Sequence, residues 1–154
     1  MPVNRPILIV ESPYYADISA ELRAGAIEYL KEQGFDYEVI EVPGAFEIPG
    51  AIRCALKAME IGATARKFPG FIALGCVIRG ETSHYDYVCG ESARGLMDLS
   101  LSHCAAIGYG ILTVENREQA WVRADRKQKN KGRDAADACV SMIKLKNTLH
   151  LGGG

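Results

Sequence analysis

The chain has 154 residues, of which 48% are hydrophobic and 24% charged, the size and composition of one globular domain with a sizeable core. Lys and Arg number 18 against 19 Asp and Glu, a net charge of −1, so no general electrostatic pull toward nucleic acid or an acidic membrane exists and any anion site must be local. No stretch approaches the length of a membrane span, and the start lacks the charged-then-apolar pattern of a secretion signal.

Pro2 to Pro6 form a short lead without periodicity. Ile7-Leu8-Ile9-Val10 is a continuous apolar run that predicts a buried first strand, with Glu11-Ser12-Pro13-Tyr14-Tyr15 as the turn at its carboxyl end. Ile18, Leu22, Ala26, Tyr29 and Leu30 keep helical spacing, with Asp17 as the expected N-cap and Gly34 as the terminator. Tyr37 to Val42 predicts a second strand stopped by Pro43-Gly44; Ala45 to Pro49 reads as a loop. Ala51, Ile52, Ala55, Leu56 and Met59 mark a second helix ending near Gly62.

Phe71 to Ile78 has the length and flanks of a strand buried on both faces. A helix follows it, with Val88, Ser92, Gly95, Leu96 and Leu99 on one face. Ala105 to Thr113 supplies a fourth strand, and Asn116 to about Arg126 another helix. After the basic segment from Arg126 to Gly132, a last helix runs through Ala136, Cys139, Val140 and Ile143. Strands alternating with helices four times, with no linker, predict a single domain over 1–154. It is an α/β fold with a four-stranded parallel sheet between two helical layers.

The polar segment Arg79-Gly80-Glu81-Thr82-Ser83-His84 then lies at the carboxyl end of a central strand, where open α/β sheets hold their ligands. It also opens a helix. The plain reading is a cap, with Thr82 or Ser83 capping and Asp86 assisting. The functional reading adds that Gly80 admits a close ligand and that the N–H groups of Glu81 and Thr82 can bind phosphate. A neutral imidazole at His84 can both accept and donate a proton, which suits general acid/base work. Arg123, Arg126, Lys127, Lys129, Lys131 and Arg133 read either as a solvated face or as phosphate contacts, with Arg123 favoured because a guanidinium grips phosphate with two N–H groups. Tyr14, Phe46 and Tyr109 each end or follow a predicted strand on one edge, where an aromatic either packs in the core or stacks on a planar ligand. Cys54, Cys76, Cys89, Cys104 and Cys139 lack CxxC spacing and read as reduced small hydrophobes of a cytoplasmic protein, not as a disulfide framework or metal site. Walker, GxGxxG, GxSxG and HExxH motifs are absent from the sequence.

Pro43-Gly44-Ala45-Phe46-Glu47-Ile48-Pro49, Gly75 through Tyr85, Gly110-Ile111-Leu112-Thr113 with Glu118-Gln119-Ala120, and Asn130-Lys131-Gly132 together resemble the 6,7-dimethyl-8-ribityllumazine synthase family, in order and spacing across nearly the whole chain. The resemblance implies a flavodoxin-like α/β/α sandwich and the penultimate step of riboflavin biosynthesis. There 5-amino-6-(D-ribitylamino)uracil condenses with 3,4-dihydroxy-2-butanone 4-phosphate, without a metal or organic cofactor. It implies that His84 transfers protons and that Tyr14 stacks on the pyrimidine where relatives carry Phe or Trp. Ala45, Phe46 and Glu47 would hold the ribityl chain, Cys76, Val77 and Ile78 the uracil ring, and Glu81, Thr82 and Arg123 the phosphate. Tyr109 would arrive from a neighbouring subunit, and Lys131 would lie near the site. A composite site implies a homo-oligomer, with riboflavin synthase as a candidate partner. Asp125 to Lys129 lacks the glycines of the family's sixty-subunit shells, so a pentamer or decamer is expected. Two rivals stand beside this reading: a non-catalytic relative that binds lumazine or riboflavin, and an FMN-carrying electron-transfer protein. The second would need a hydroxyl-rich phosphate loop after the first strand, where this chain has Glu11-Ser12-Pro13-Tyr14-Tyr15.

Overall fold

The β-branched and leucine runs of the sequence become four parallel strands in the computed structural model, which describes residues 5–152. The strands are β1 (Ile7–Glu11), β2 (Tyr37–Glu41), β3 (Phe71–Ile78) and β4 (Ile107–Val114), in the order β2-β1-β3-β4. The helices are α1 (Ala16–Glu32), α2 (Ile48–Glu60), α3 (His84–His103), α4 (Arg117–Ala124) and α5 (Lys131–Thr148). Most of the expected lead and the end of the glycine tail lie outside the described residues.

Alternation along each strand sorts the apolar side chains into two cores. Ile7, Ile9, Ile72, Leu74, Leu112 and Val114 face one side and meet α1, α4 and α5. Leu8, Val10, Phe71, Ala73 and Ile111 face the other and meet Ile48 and Ile52 of α2 and Val88, Leu96 and Leu99 of α3. Burying each large aliphatic side chain contributes about 1.5–3 kcal/mol. On the second face only two helices cover the sheet, and β4 leaves Tyr109 and Thr113 exposed there. On the first face α5 comes so close that a Cβ at Gly108 would stand 1.9 Å from the Ala135 carbonyl oxygen. Any side chain at that position would push the helix off β4.

Helices α1 and α2 end as their glycines predict. At the end of α1, Gly34 has φ +78°, its N–H donates to the Lys31 carbonyl, and the Phe35 N–H reaches back to Leu30. Gly62 closes α2 the same way, and His150, with φ +62°, closes α5. Three expectations are corrected. Asp17 does not cap α1: Tyr15 stands at the cap, and Asp17, in the first turn, pairs with Arg117 of α4. Residues 45–49 are not irregular: Ala45–Glu47 is a 3₁₀ turn that runs directly into α2, where Pro49 occupies the first turn without needing a donor. The fourth strand begins at Ile107, the register partner of Phe71; Ala105 and Ala106 are buried just before it, the Ala106 carbonyl accepting from the Phe71 N–H at 2.8 Å.

Candidate active site

In this strand order the chain leaves β1 toward β2 on one side and returns to β3 on the other, so the sheet has a switch point between β1 and β3. Loops diverge there and leave a crevice. A cavity of about 610 Å³ opens at that place, lined by the turn after β1 (Ser12, Tyr14, Tyr15), by Pro43 to Glu47, by Cys76-Val77-Ile78 at the end of β3, and by His84, Tyr87 and Val88 of α3.

Each wall has a local cause. The Ser12 N–H donates to the Leu74 carbonyl at 3.0 Å and the Val42 N–H to the Glu11 carbonyl at 2.9 Å, so the β1 turn and the end of β2 continue the sheet's hydrogen bonding. Beneath them Glu11 is buried, with its Oε1 accepting from Arg23 at 2.6 Å. Tyr14 packs edge-on to Tyr15, ring centroids 4.9 Å apart, yet stays 76% exposed; Phe46 is 56% exposed. Core packing is thereby excluded for both, and each offers a ring face at the rim of the cleft.

The turn from β3 to α3 is fixed by Arg79. Its N–H donates to the Val114 carbonyl at 3.0 Å, and its guanidinium reaches Glu115 at 2.8 Å and Asp86 at 3.3 Å while lying 4.3 Å over the Tyr85 ring. Ser83 stands at the cap of α3 without a side-chain capping bond, and the His84 N–H donates to Thr82 Oγ1 at 3.3 Å. The space around Gly80 is open. Glu81 and Thr82 are exposed on this turn beside His84, outside the cavity lining.

Deeper in the cleft Cys76 is half-buried, and that burial pushes its thiol up to about 11 against the opposing pull of Arg117. The thiol therefore stays protonated near neutrality and serves as wall, not nucleophile. The cysteines are all free; Cys139 is buried and Cys76 and Cys89 are half-buried, whereas Cys54 and Cys104 are exposed and do not act as packed small hydrophobes. Among the described residues no group of three His, Cys, Asp or Glu side chains is placed to hold a metal ion, and no helix is long and apolar enough to cross a membrane.

The cleft gathers Tyr14, Ala45, Phe46, Glu47, Cys76, Val77, Ile78 and His84 in one chain, and leaves out Tyr109, Arg123 and Lys131. Tyr109 was expected at a strand's carboxyl end. Its register partner is Ala73, in the amino half of β3, so it sits well below the cleft on the sparsely covered face of β4. Arg123 is half-buried on α4 and donates to the Gln119 carbonyl of its own helix at 3.1 Å; Lys131 lies 3.3 Å from Asp134. Sequence reasoning passed over Ser12, Tyr15 and Tyr87, which also line the cleft. For Tyr87 the signal was its position one helical turn after His84.

Fold and cleft define the class: a flavodoxin-like α/β protein with an aromatic-rimmed small-molecule cleft at its switch point. The family model described as 6,7-dimethyl-8-ribityllumazine synthase matches residues 4–147. Relatives bearing that name include one from Bartonella bacilliformis, 51% identical over 94% of this chain and 91% of the relative, and one from Agrobacterium fabrum, 52% identical over 93% and 95%. A third, from Rhizobium meliloti and named 6,7-dimethyl-8-ribityllumazine synthase 1, is 51% identical over 93% and 92%. The chain belongs to the 6,7-dimethyl-8-ribityllumazine synthase family, transferases of riboflavin biosynthesis.

Proposed function

We propose that this chain, acting as a single domain, condenses 5-amino-6-(D-ribitylamino)uracil with 3,4-dihydroxy-2-butanone 4-phosphate to give 6,7-dimethyl-8-ribityllumazine, phosphate and water, the penultimate step of riboflavin biosynthesis. The observation that carries the reading is the switch-point cleft of a family member, rimmed by Tyr14 and Phe46, floored by Cys76 to Ile78 and reached by His84. The amine attacks the ketone to give an imine with loss of water, phosphate leaves by elimination, and the ribitylamino nitrogen closes the ring with loss of a second water. Every step moves a proton between carbon, nitrogen or oxygen, so two reactants must be held together beside one group that accepts and returns protons.

His84 is that group in our reading. Tyr14 stacks on the pyrimidine, Cys76, Val77 and Ile78 meet its edge, and Ala45, Phe46 and Glu47 hold the ribityl chain. Glu81 and Thr82 offer N–H groups to the phosphate at the first turn of α3.

Tyr109, Arg123 and Lys131 stand outside the cleft of their own chain, and we assign them to the site of a neighbouring copy in a homopentamer, or in a decamer of paired pentamers. Met97 and Leu101 on α3 are large apolar side chains left exposed, which such a neighbour would cover. We place the enzyme in the cytoplasm, with riboflavin synthase as a candidate partner. Mixing the purified protein with both substrates and following lumazine absorbance tests the activity. A rise above the spontaneous background is expected, and its absence would sink the proposal.

A further inference from the structure

A second cavity, of about 660 Å³, opens at the opposite, amino edge of the sheet, between the turn after α1, the loop before β3 and the last turns of α5. Its apolar wall includes Phe35, Met59, Phe68 and Ile143, and its cations include Lys67, Lys144 and Lys146. The wall is held in advance of any ligand. The Phe68 N–H donates to Met59 Sδ at 3.2 Å, its ring lies 6.0 Å from that of Phe71, and the Phe35 N–H closes the end of α1 on Leu30 at 2.9 Å.

The charge at this edge is more than a helix correction. Helices α1, α2 and α5 all end here, each presenting carbonyls and the negative end of its dipole, which basic residues in the last turn offset. Lys146 in the last turn of α5 is accounted for in part by that role, and Lys144 leans on Gln33 Oε1 at 3.5 Å. Lys67 belongs to no helix, and neither it nor Lys146 has an ion-pair partner among the described residues. Asp36 is the one carboxylate in the lining. Two unpaired ammonium groups beside half-buried aromatic side chains, in a chain of net charge −1, make a local basic and apolar concavity of the size that takes a drug-sized molecule.

We propose that this cavity is a second small-molecule site that takes an amphipathic anion. A planar or aliphatic body would lie against Phe35 and Phe68, and a carboxylate, sulfonate or phosphate would sit between Lys67 and Lys146. A bare anion fits poorly, because the helix carbonyls repel it; a neutral hydrophobe leaves the lysines unused.

The test uses the full chain and two probes that share their rings and differ in charge, 8-anilinonaphthalene-1-sulfonate and the neutral N-phenyl-1-naphthylamine, titrated by fluorescence. The sulfonate is expected to bind at about one site per chain, about tenfold or more tighter than the neutral probe, with an affinity that falls as salt rises. Charge reversal of exposed Lys67 together with half-buried Lys146, Lys67→Glu with Lys146→Glu, should weaken the sulfonate about tenfold or more and leave the neutral probe unchanged. Phe46→Ala, at the other edge, should leave the sulfonate's affinity as it was. Equal affinity for the two probes, an unchanged affinity in the double variant, or a loss caused by Phe46→Ala would each overturn the proposal. Lumazine formation by the double variant, unchanged, separates this site from the cleft around His84.

Discussion

The two edges of the sheet hold cavities of similar size, about 610 Å³ and 660 Å³, yet they are chemically opposite. At the carboxyl edge helices begin: α1 follows Tyr15, α2 follows the 3₁₀ turn, and α3 opens at His84, so backbone N–H groups and positive dipole ends converge. At the amino edge the helices end, and carbonyls converge instead. An anion can be held by the backbone at the first edge but needs side-chain ammonium groups at the second. Size therefore does not identify the reaction site; the direction of the helices and the presence of a titratable imidazole do.

The sharpest way to break this contrast is His84→Ala. Loss of general acid/base help should lower kcat by about 10²–10⁴-fold, with little change in the Kd of the ribityl substrate measured by direct binding. A kcat that survives intact would move the chemistry elsewhere in the cleft.

Next in size is a difference between a half-buried thiol and a buried one. Cys76 lines the carboxyl-edge cleft, whereas Cys139 is sealed near the amino edge, donating to the Ala106 carbonyl at 3.7 Å, and burial pushes it up to about 12. At pH 8 Cys76, up at about 11, should carry little thiolate and alkylate with iodoacetamide far more slowly than exposed Cys54. The thiolate is the reactive form, so raising the pH toward 11 speeds Cys76. A cleft ligand should protect it at every pH, while Cys139 reacts only after unfolding. Mass spectrometry of the labelled peptides reads all three, and protection of Cys139 but not Cys76 by the ribityl substrate would invert the assignment of the edges.

What the sequence made legible follows the same division. The runs Ile7–Val10 and Phe71–Ile78 announce buried strands because every residue is apolar, and the pentad from Gly80 to His84 announces a loop-to-helix turn because local chemistry specifies it. Tyr109 was misplaced because the strand that carries it runs on to Val114: opposite Ala73 in the register with β3, it stands near the amino end of β4 and not at its carboxyl end. Asp17 looked like a cap because its true partner, Arg117, is 100 residues away in the chain. The amino-edge cavity left no local mark at all. Phe35, Lys67, Phe68 and Lys146 come from separate connections and a helix end, and each alone reads as ordinary surface.

A smaller effect is expected at Arg123. Its helix lies outside the cleft lining of its own chain, and its role in our reading is confined to the phosphate. Arg123→Ala should raise the KM for the phosphorylated ketone about tenfold or more, leaving the ribityl substrate's nearly unchanged. Steady-state kinetics with each substrate varied in turn separates the two, and an unchanged dependence on the ketone would count against the role.

The smallest effect concerns whether one chain completes its own cleft. His84 lines the cavity, while Arg123 and Tyr109 do not, so the composite reading requires a site to draw His84 from one chain and Arg123 from the next. Co-expressing His84→Ala and Arg123→Ala chains in equal amounts then makes a site intact whenever the chain supplying the cleft carries His84 and its neighbour carries Arg123. Random assembly satisfies both conditions in about a quarter of sites. At low ketone concentration the mixture should therefore recover about a quarter of normal activity, well above the mean of its two parents. If both residues served the same chain, every site would lack one of them, and the mixture would run at that mean. The exposed Tyr109 on β4 extends the logic: a Tyr109→Ala chain should complement His84→Ala in the same way, because its lost ring is missed only by the neighbour.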